Sequence, residues 1–149
     1  MPLRSLLGQG NTHLTKQAFS TLTPSQIFLV GTRELDPPEK TFIAQNRFHE
    51  LSASSVNKQQ NNSLLSAIQA AGCHKIYIHL DLDVVEPDSF PHVTCPTPGG
   101  IEITPLKALI SKLIDSFELV GASVLEFLPT DSNLAGTPIA SELIDILRL

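Results

Sequence analysis

Apolar positions in this chain come in short runs whose spacing switches between the period of a strand and that of a helix. Residues 26–31 form a brief, nearly continuous apolar run, the pattern of a strand covered on both faces. Pro37 and Pro38 then suit the first turn of a helix running through Ala44. Residues 48–51 predict a second strand. Leu64, Leu65, Ile68 and Ala71 keep helical spacing, and Gly72 ends that helix. Residues 75–83 give the clearest strand. Thr104-Pro105 predicts an N-cap followed by a first-turn proline. Behind it Leu106, Leu109, Ile110, Leu113, Ile114 and Phe117 mark an amphipathic helix. A strand over 119–127 follows. Thr137-Pro138 repeats the capping device and opens a last helix with Ile139, Leu143, Ile146 and Leu147. A short helical turn is expected at 3–7, and the polar segment 52–63 reads as a mobile connection. Strands alternating with helices predict one α/β domain over 1–149, with a mostly parallel sheet in three αβα layers.

Composition narrows the function classes. The 149 residues are 42% hydrophobic and 17% charged, ordinary for a globular chain with a sizeable core. The net charge of −5 and the lack of a basic cluster argue against nucleic acid or an anionic membrane as partner. No apolar run approaches the roughly 20 residues that span a bilayer, and the opening segment, broken by Gly8 and Gly10, does not read as a signal peptide. Cys73 and Cys95 lack Cys-x-x-Cys spacing and are expected as reduced thiols, which points to the cytoplasm.

The chemistry concentrates where strands end. Alternation puts Asp81 and Asp83 on one face of the strand, opposite Leu80 and Leu82. Two such carboxylates need a cation between them, a shared proton, or loop amides and helix N-termini to satisfy them. Hard oxygen ligands suit Mg, Ca or Mn. In open parallel sheets ligands gather at the carboxyl ends of strands, where Glu126 and the loop carrying Arg33, Glu34 and Asp36 also fall. Glu126 is read either as an ion-pair partner of Arg33 or as a clamp for a cationic substrate group. His79 lies on the Asp81 face, two residues deeper, and is expected as a buried histidine supporting the site. His92 and Cys95 sit in the long loop after the acid pair, within reach of the site or simply part of the loop's packing.

Three segments together resemble a known family. His79-Leu-Asp-Leu-Asp-Val-Val-Glu-Pro87, with Phe90-Pro91 and Pro96-Thr-Pro-Gly-Gly-Ile101, is similar to a metal-binding motif of the ureohydrolases, the arginase, agmatinase and formimidoylglutamase family. Leu29-Val-Gly-Thr-Arg-Glu-Leu-Asp-Pro-Pro-Glu39 resembles an earlier strand and acidic loop of that family, and Leu125-Glu-Phe-Leu-Pro129 its last catalytic strand. The resemblance implies an arginase-like fold and a dinuclear manganese centre that activates hydroxide against a guanidino or formimidoyl substrate. By position it makes Asp81 and Asp83 metal ligands, puts Glu126 on the substrate's cationic group, and sets Asp36 near the substrate's other end. A homo-oligomer is compatible with it.

The departures carry an expectation of their own. A Gly-Gly-Asp-His segment and an Asp-x-His-x-Asp triplet, which supply the family's other ligands, occur nowhere in the chain. Glu86 stands where aspartate is usual, with a longer reach. Residues 1–8 resemble a segment inside the family domain, so the sequence is expected to represent the C-terminal, N-terminally truncated portion. Alone it should bind manganese weakly and hydrolyse nothing. Two other functions compete: a noncatalytic remnant or interaction module, and a phosphatase of the haloacid-dehalogenase type using Asp81.

Overall fold

The computed structural model describes residues 2–129 and 136–147. In chain order, α1 (Pro2–Leu6), α2 (Thr12–Thr15) and a 3-10 turn (Pro24–Gln26) lead into β1 (Phe28–Val30). Then come α3 (Pro37–Asn46), β2 (His49–Leu51), α4 (Ala53–Asn57) and α5 (Asn62–Ala70). After them run β3 (Lys75–Asp81), a second 3-10 turn (Leu82–Val84), α6 (Ile103–Ser116), β4 (Glu118–Leu125) and α7 (Thr137–Ile146). The alternation read from the apolar spacing is present, and every strand pairing is parallel. The fold is α/β, of the three-layer αβα class.

Its sheet is divided among the described residues. β1 pairs with β2, with Val30 opposite Leu51, and β3 pairs with β4, with Asp81 opposite Leu125. No ladder joins the two pairs. The expectation that the first strand is covered on both faces is corrected: Phe28, Leu29 and Val30 are each only partly buried. Lys75, Tyr77 and His79 leave one face of β3 exposed, with Tyr77 60% accessible. The opposite face is the core. Leu80 and Leu82 enter one buried cluster with Leu64 and Ile68 of α5, Leu106, Leu109 and Ile110 of α6, and Leu143 of α7. A second, smaller cluster of Ile27, Phe42, Ile43 and Phe48 holds α3 beside β1.

Several boundaries move for identifiable reasons. Helix α6 begins one residue before Thr104, with Glu102 in the N-cap position. Glu102 is held there from outside the helix: its N–H donates to Asn57 Oδ1 at 2.9 Å and its carboxylate accepts from Ser89 Oγ at 2.8 Å. Thr137 likewise lies inside α7, which Gly136 caps with a left-handed backbone. The segment expected as a mobile connection folds instead. Ser52 caps α4 by accepting from Ser55 N–H, Val56 is fully buried, and Asn57 donates to Gly100 O at 3.1 Å. Its polar residues serve as caps and braces, which is how short polar side chains compete for backbone partners.

Candidate functional site

Strand β3 ends at Asp81, and the 3-10 turn that follows carries Asp83. The two acids therefore do not share a strand face by alternation. The turn keeps Asp83 near enough to feel the charge of Asp81, while Leu82 between them is fully buried. Because Asp81 lies level with Leu125 across the ladder, Glu126 emerges at the same edge, on a left-handed backbone with φ of 63°. A non-glycine residue in that region is uncommon and marks a sharp change of chain direction. It turns Glu126 out of the strand and into solvent.

The electrostatics record this convergence. The carboxyl of Asp83 is held above its ordinary value, first by partial burial and then by the negative charge of Asp81. Glu126 pushes the same way more weakly, while the Arg33 guanidinium opposes them. Three acids and one cation thus act on one turn, where burial and like charge both disfavour ionisation.

Arg33 is not the ion-pair partner of Glu126 considered from the sequence. Its guanidinium is a main-chain clamp, donating to the carbonyls of Asp83, of Val84 at 3.2 Å, of Thr97 at 2.9 Å and of Gly31 at 3.3 Å. It ties the end of β1 to the acid turn and to the proline-rich loop. The planar five-donor fork suits this better than a lysine would.

Glu86 closes the same loop from the other side. Its carboxylate accepts from the N–H groups of Gly99 and Gly100 at 2.9 and 2.7 Å. A Cβ on Gly100 would lie 2.6 Å from the Val85 and Glu86 backbone, so only glycine fits there. These two loop-holding roles, of Arg33 and Glu86, depend on contacts across the fold that residue spacing does not encode.

The remaining candidates fall in different places. His79 is exposed rather than buried beneath the site. Its Nε2 stands 3.7 Å from Asp81 Oδ2 and its Nδ1 is 2.7 Å from Ser123 Oγ, so it flanks Asp81 from the open face. Asp36 is exposed at the N-cap of α3, in a capping box where Glu39 accepts from the Asp36 N–H at 3.2 Å. Among the described residues no hydrogen bond or ion pair joins it to the acid pair. His92 packs edge-on against Phe90 at 5.5 Å, and its carbonyl accepts from Leu128 N–H at 2.8 Å. It holds the segment after β4. Cys95 is an exposed, free thiol that lines the same cleft as Arg33 and Asp83.

A divalent ion is the group this chemistry suggests, and the residues meet it in kind but not in number. Asp81 and Asp83 are hard oxygen donors. Yet no three of the described His, Cys, Asp and Glu side chains stand close enough together to hold a metal ion. The described residues alone do not complete a metal site. No helix among the described residues is long and apolar enough to cross a membrane.

A parallel α/β domain with acids at its strand ends is a common enzyme scaffold, and comparison with known proteins specifies which. The model of the arginase family matches residues 4–145, so the chain belongs to the arginase family. Arginase of Bacillus subtilis is 28% identical over 138 residues, covering 87% of this chain and 45% of that protein. A solved structure of Bacillus subtilis arginase superposes with a TM-score of 0.86 at 24% identity, over 99% of this chain and 52% of the other. Entamoeba histolytica arginase, solved in complex with L-ornithine, gives 0.84 at 23% identity, over 99% and 51%. The chain spans about half the length of the relatives it matches.

Proposed function

We propose that this chain carries part of a ureohydrolase-type centre for hydrolysis of a guanidino or formimidoyl C–N bond, which for a guanidino substrate yields urea and an amine. The observation that carries this reading is the convergence of Asp81, Asp83 and Glu126 at one strand edge, with Asp83 held above its ordinary pKa. In an arginase-family chain that edge is the natural place for Asp81 and Asp83 to act as carboxylate ligands of manganese. Glu126, turned outward and exposed, is placed to meet a cationic substrate group. L-Ornithine, found with the Entamoeba histolytica enzyme, is an amino acid with such a cationic end.

The donor count limits what the chain does by itself. Asp81 and Asp83 supply only part of the coordination of a hard divalent ion, so the described residues alone do not furnish the hydrolytic centre. A haloacid-dehalogenase role for Asp81 is not favoured by arginase-family membership, and neither is a purely noncatalytic module. The two unpaired cysteines keep the cytoplasm as the proposed compartment.

Manganese titration with thermal melting tests the reading, because an ion that binds only the folded chain raises its melting temperature. A small Mn-dependent rise is expected in the native chain and none in Asp83→Asn. A rise of equal size in Asp83→Asn and Asp81→Asn, or strong urea release from arginine or agmatine by this chain alone, would overturn it.

A further inference from the structure

His79 and Ser123 stand directly opposite each other in the β3–β4 ladder. Partners in register share a face of the sheet, roughly 4.8 Å apart. Here they meet, with Ser123 Oγ 2.7 Å from His79 Nδ1. Asp81 follows two residues later on β3, on that same face and about 6.6 Å further along. An imidazole is long enough to lean across that gap, and His79 Nε2 comes within 3.7 Å of Asp81 Oδ2. Side chains from two strands thus form a line from Ser123 through His79 to Asp81.

The line has a direction. A neutral imidazole carries one ring proton, and a hydroxyl can donate or accept. Were Nδ1 the donor, Nε2 would turn a lone pair toward the Asp81 carboxylate, and the two would repel. With the Ser123 O–H donating to Nδ1, the ring proton sits on Nε2 and faces the carboxylate. The partner of one ring nitrogen sets the state of the other, so the serine hydroxyl selects the tautomer that attracts Asp81.

Asp81 is short of such partners. Asp83 acts on it as a like charge, and the Arg33 guanidinium is committed to main-chain carbonyls. Among the described residues His79 makes the one ion-pair or hydrogen-bond contact to the Asp81 carboxylate. Without it the χ1 torsion of Asp81 is left to sample several staggered wells. An N–H on the open face selects one of them.

We propose that His79 is a positioning residue for Asp81, and that Ser123 is a second one because it chooses the tautomer of His79. The histidine holds Oδ2, which leaves Oδ1 to whatever the site binds. Ser123 also precedes Glu126 by three residues on the same strand, so the line ties the strand end bearing Glu126 to the acid of β3. What Asp81 does once positioned rests on the function proposed above, whereas its orientation by His79 needs no ion.

The test reads the Asp81 side chain directly. Three-bond NMR couplings from its backbone nitrogen and carbonyl to Cγ, measured on the 149-residue chain without metal, report the χ1 populations. The native chain should show one dominant rotamer. His79→Asn keeps an amide near the Nδ1 position but falls short of Asp81, so the single rotamer should be lost. His79→Gln reaches as far as Nε2 and should restore it. Ser123→Ala should also lose the single rotamer, and Ser123→Thr, which keeps the hydroxyl, should recover it. The His79 and Asp81 side chains are 59% and 45% accessible, so each variant should keep the native amide spectrum of β3 and β4. An averaged Asp81 in the native chain would overturn the proposal. So would equal couplings in His79→Asn and His79→Gln, which would reduce His79 to a packing residue. A failed manganese titration would remove the ion-binding reading and leave these couplings unchanged, so the two failures are told apart.

Discussion

Arg33 donates to the main-chain carbonyl of Asp83 and not to any of the three carboxylates around it. The cation nearest the acid cluster is spent on holding the backbone turn, so its charge tempers the repulsion only from a distance. This explains how acids gather at one edge without collapsing into an ion pair. The guanidinium is committed by geometry, and the carboxylates remain open toward solvent and toward whatever completes the site.

Replacing Arg33 by alanine strips a donor from four carbonyls that link β1, the acid turn and the proline-rich loop. Partly buried carbonyls left unpaired make this cost about 2–3 kcal/mol, read as a lowered urea midpoint at unchanged slope. Arg33→Lys should recover less than half of the loss, because an ammonium cannot span the same acceptors. Full recovery by lysine would show that charge, and not the fork, is what matters.

Asp83 gives the chain a pH signature. Its folded pKa is raised above the ordinary 3.8, so the folded state binds this proton more tightly than the unfolded chain does. The stability it contributes is complete below about pH 4 and is lost as pH rises through the folded value. Asp83→Asn removes that loss. Without metal, the variant should melt higher than the native chain at pH 7, and the difference should vanish as pH falls below about 4. A variant less stable at pH 7 would mean that the Asp83 carboxylate has stabilising partners in solution.

The loop after the acid pair depends on Glu86 and Gly100 together. Gly100→Ala forces a methyl to 2.6 Å from the Val85 and Glu86 backbone, a steric conflict expected to cost more than about 2 kcal/mol. Glu86→Ala should cost a comparable amount by releasing two charge-assisted bonds. Because both changes break one turn, the double variant should lose less than the two single losses combined. Full additivity in denaturant melts would show that the two residues act separately.

Local order was legible wherever one face of an element repeats. Leu106, Leu109 and Ile110 mark the buried stripe of α6, and the apolar run ending at Asp81 marks β3. That Asp81, Asp83 and Glu126 lie near one another was also legible, although a turn and not strand alternation carries Asp83. Polar residues misled for a shared reason. Ser52, Asn57 and Glu102 look like loop or solvent positions until their backbone partners are known. His92 packs on Phe90, the loop role its position also allowed, and Asp36 caps α3.

Periodicity alone determined the parallel α/β order of this chain and the placing of its acids at strand ends, because burial of an apolar face is a local, repeating demand. Tertiary structure decided the rest: that a turn and not the strand carries Asp83, that Arg33 serves carbonyls, and that no ladder joins the two strand pairs among the described residues. Those outcomes depend on hydrogen-bond partners 50 or more residues away along the chain, and no spacing within a single element can specify them.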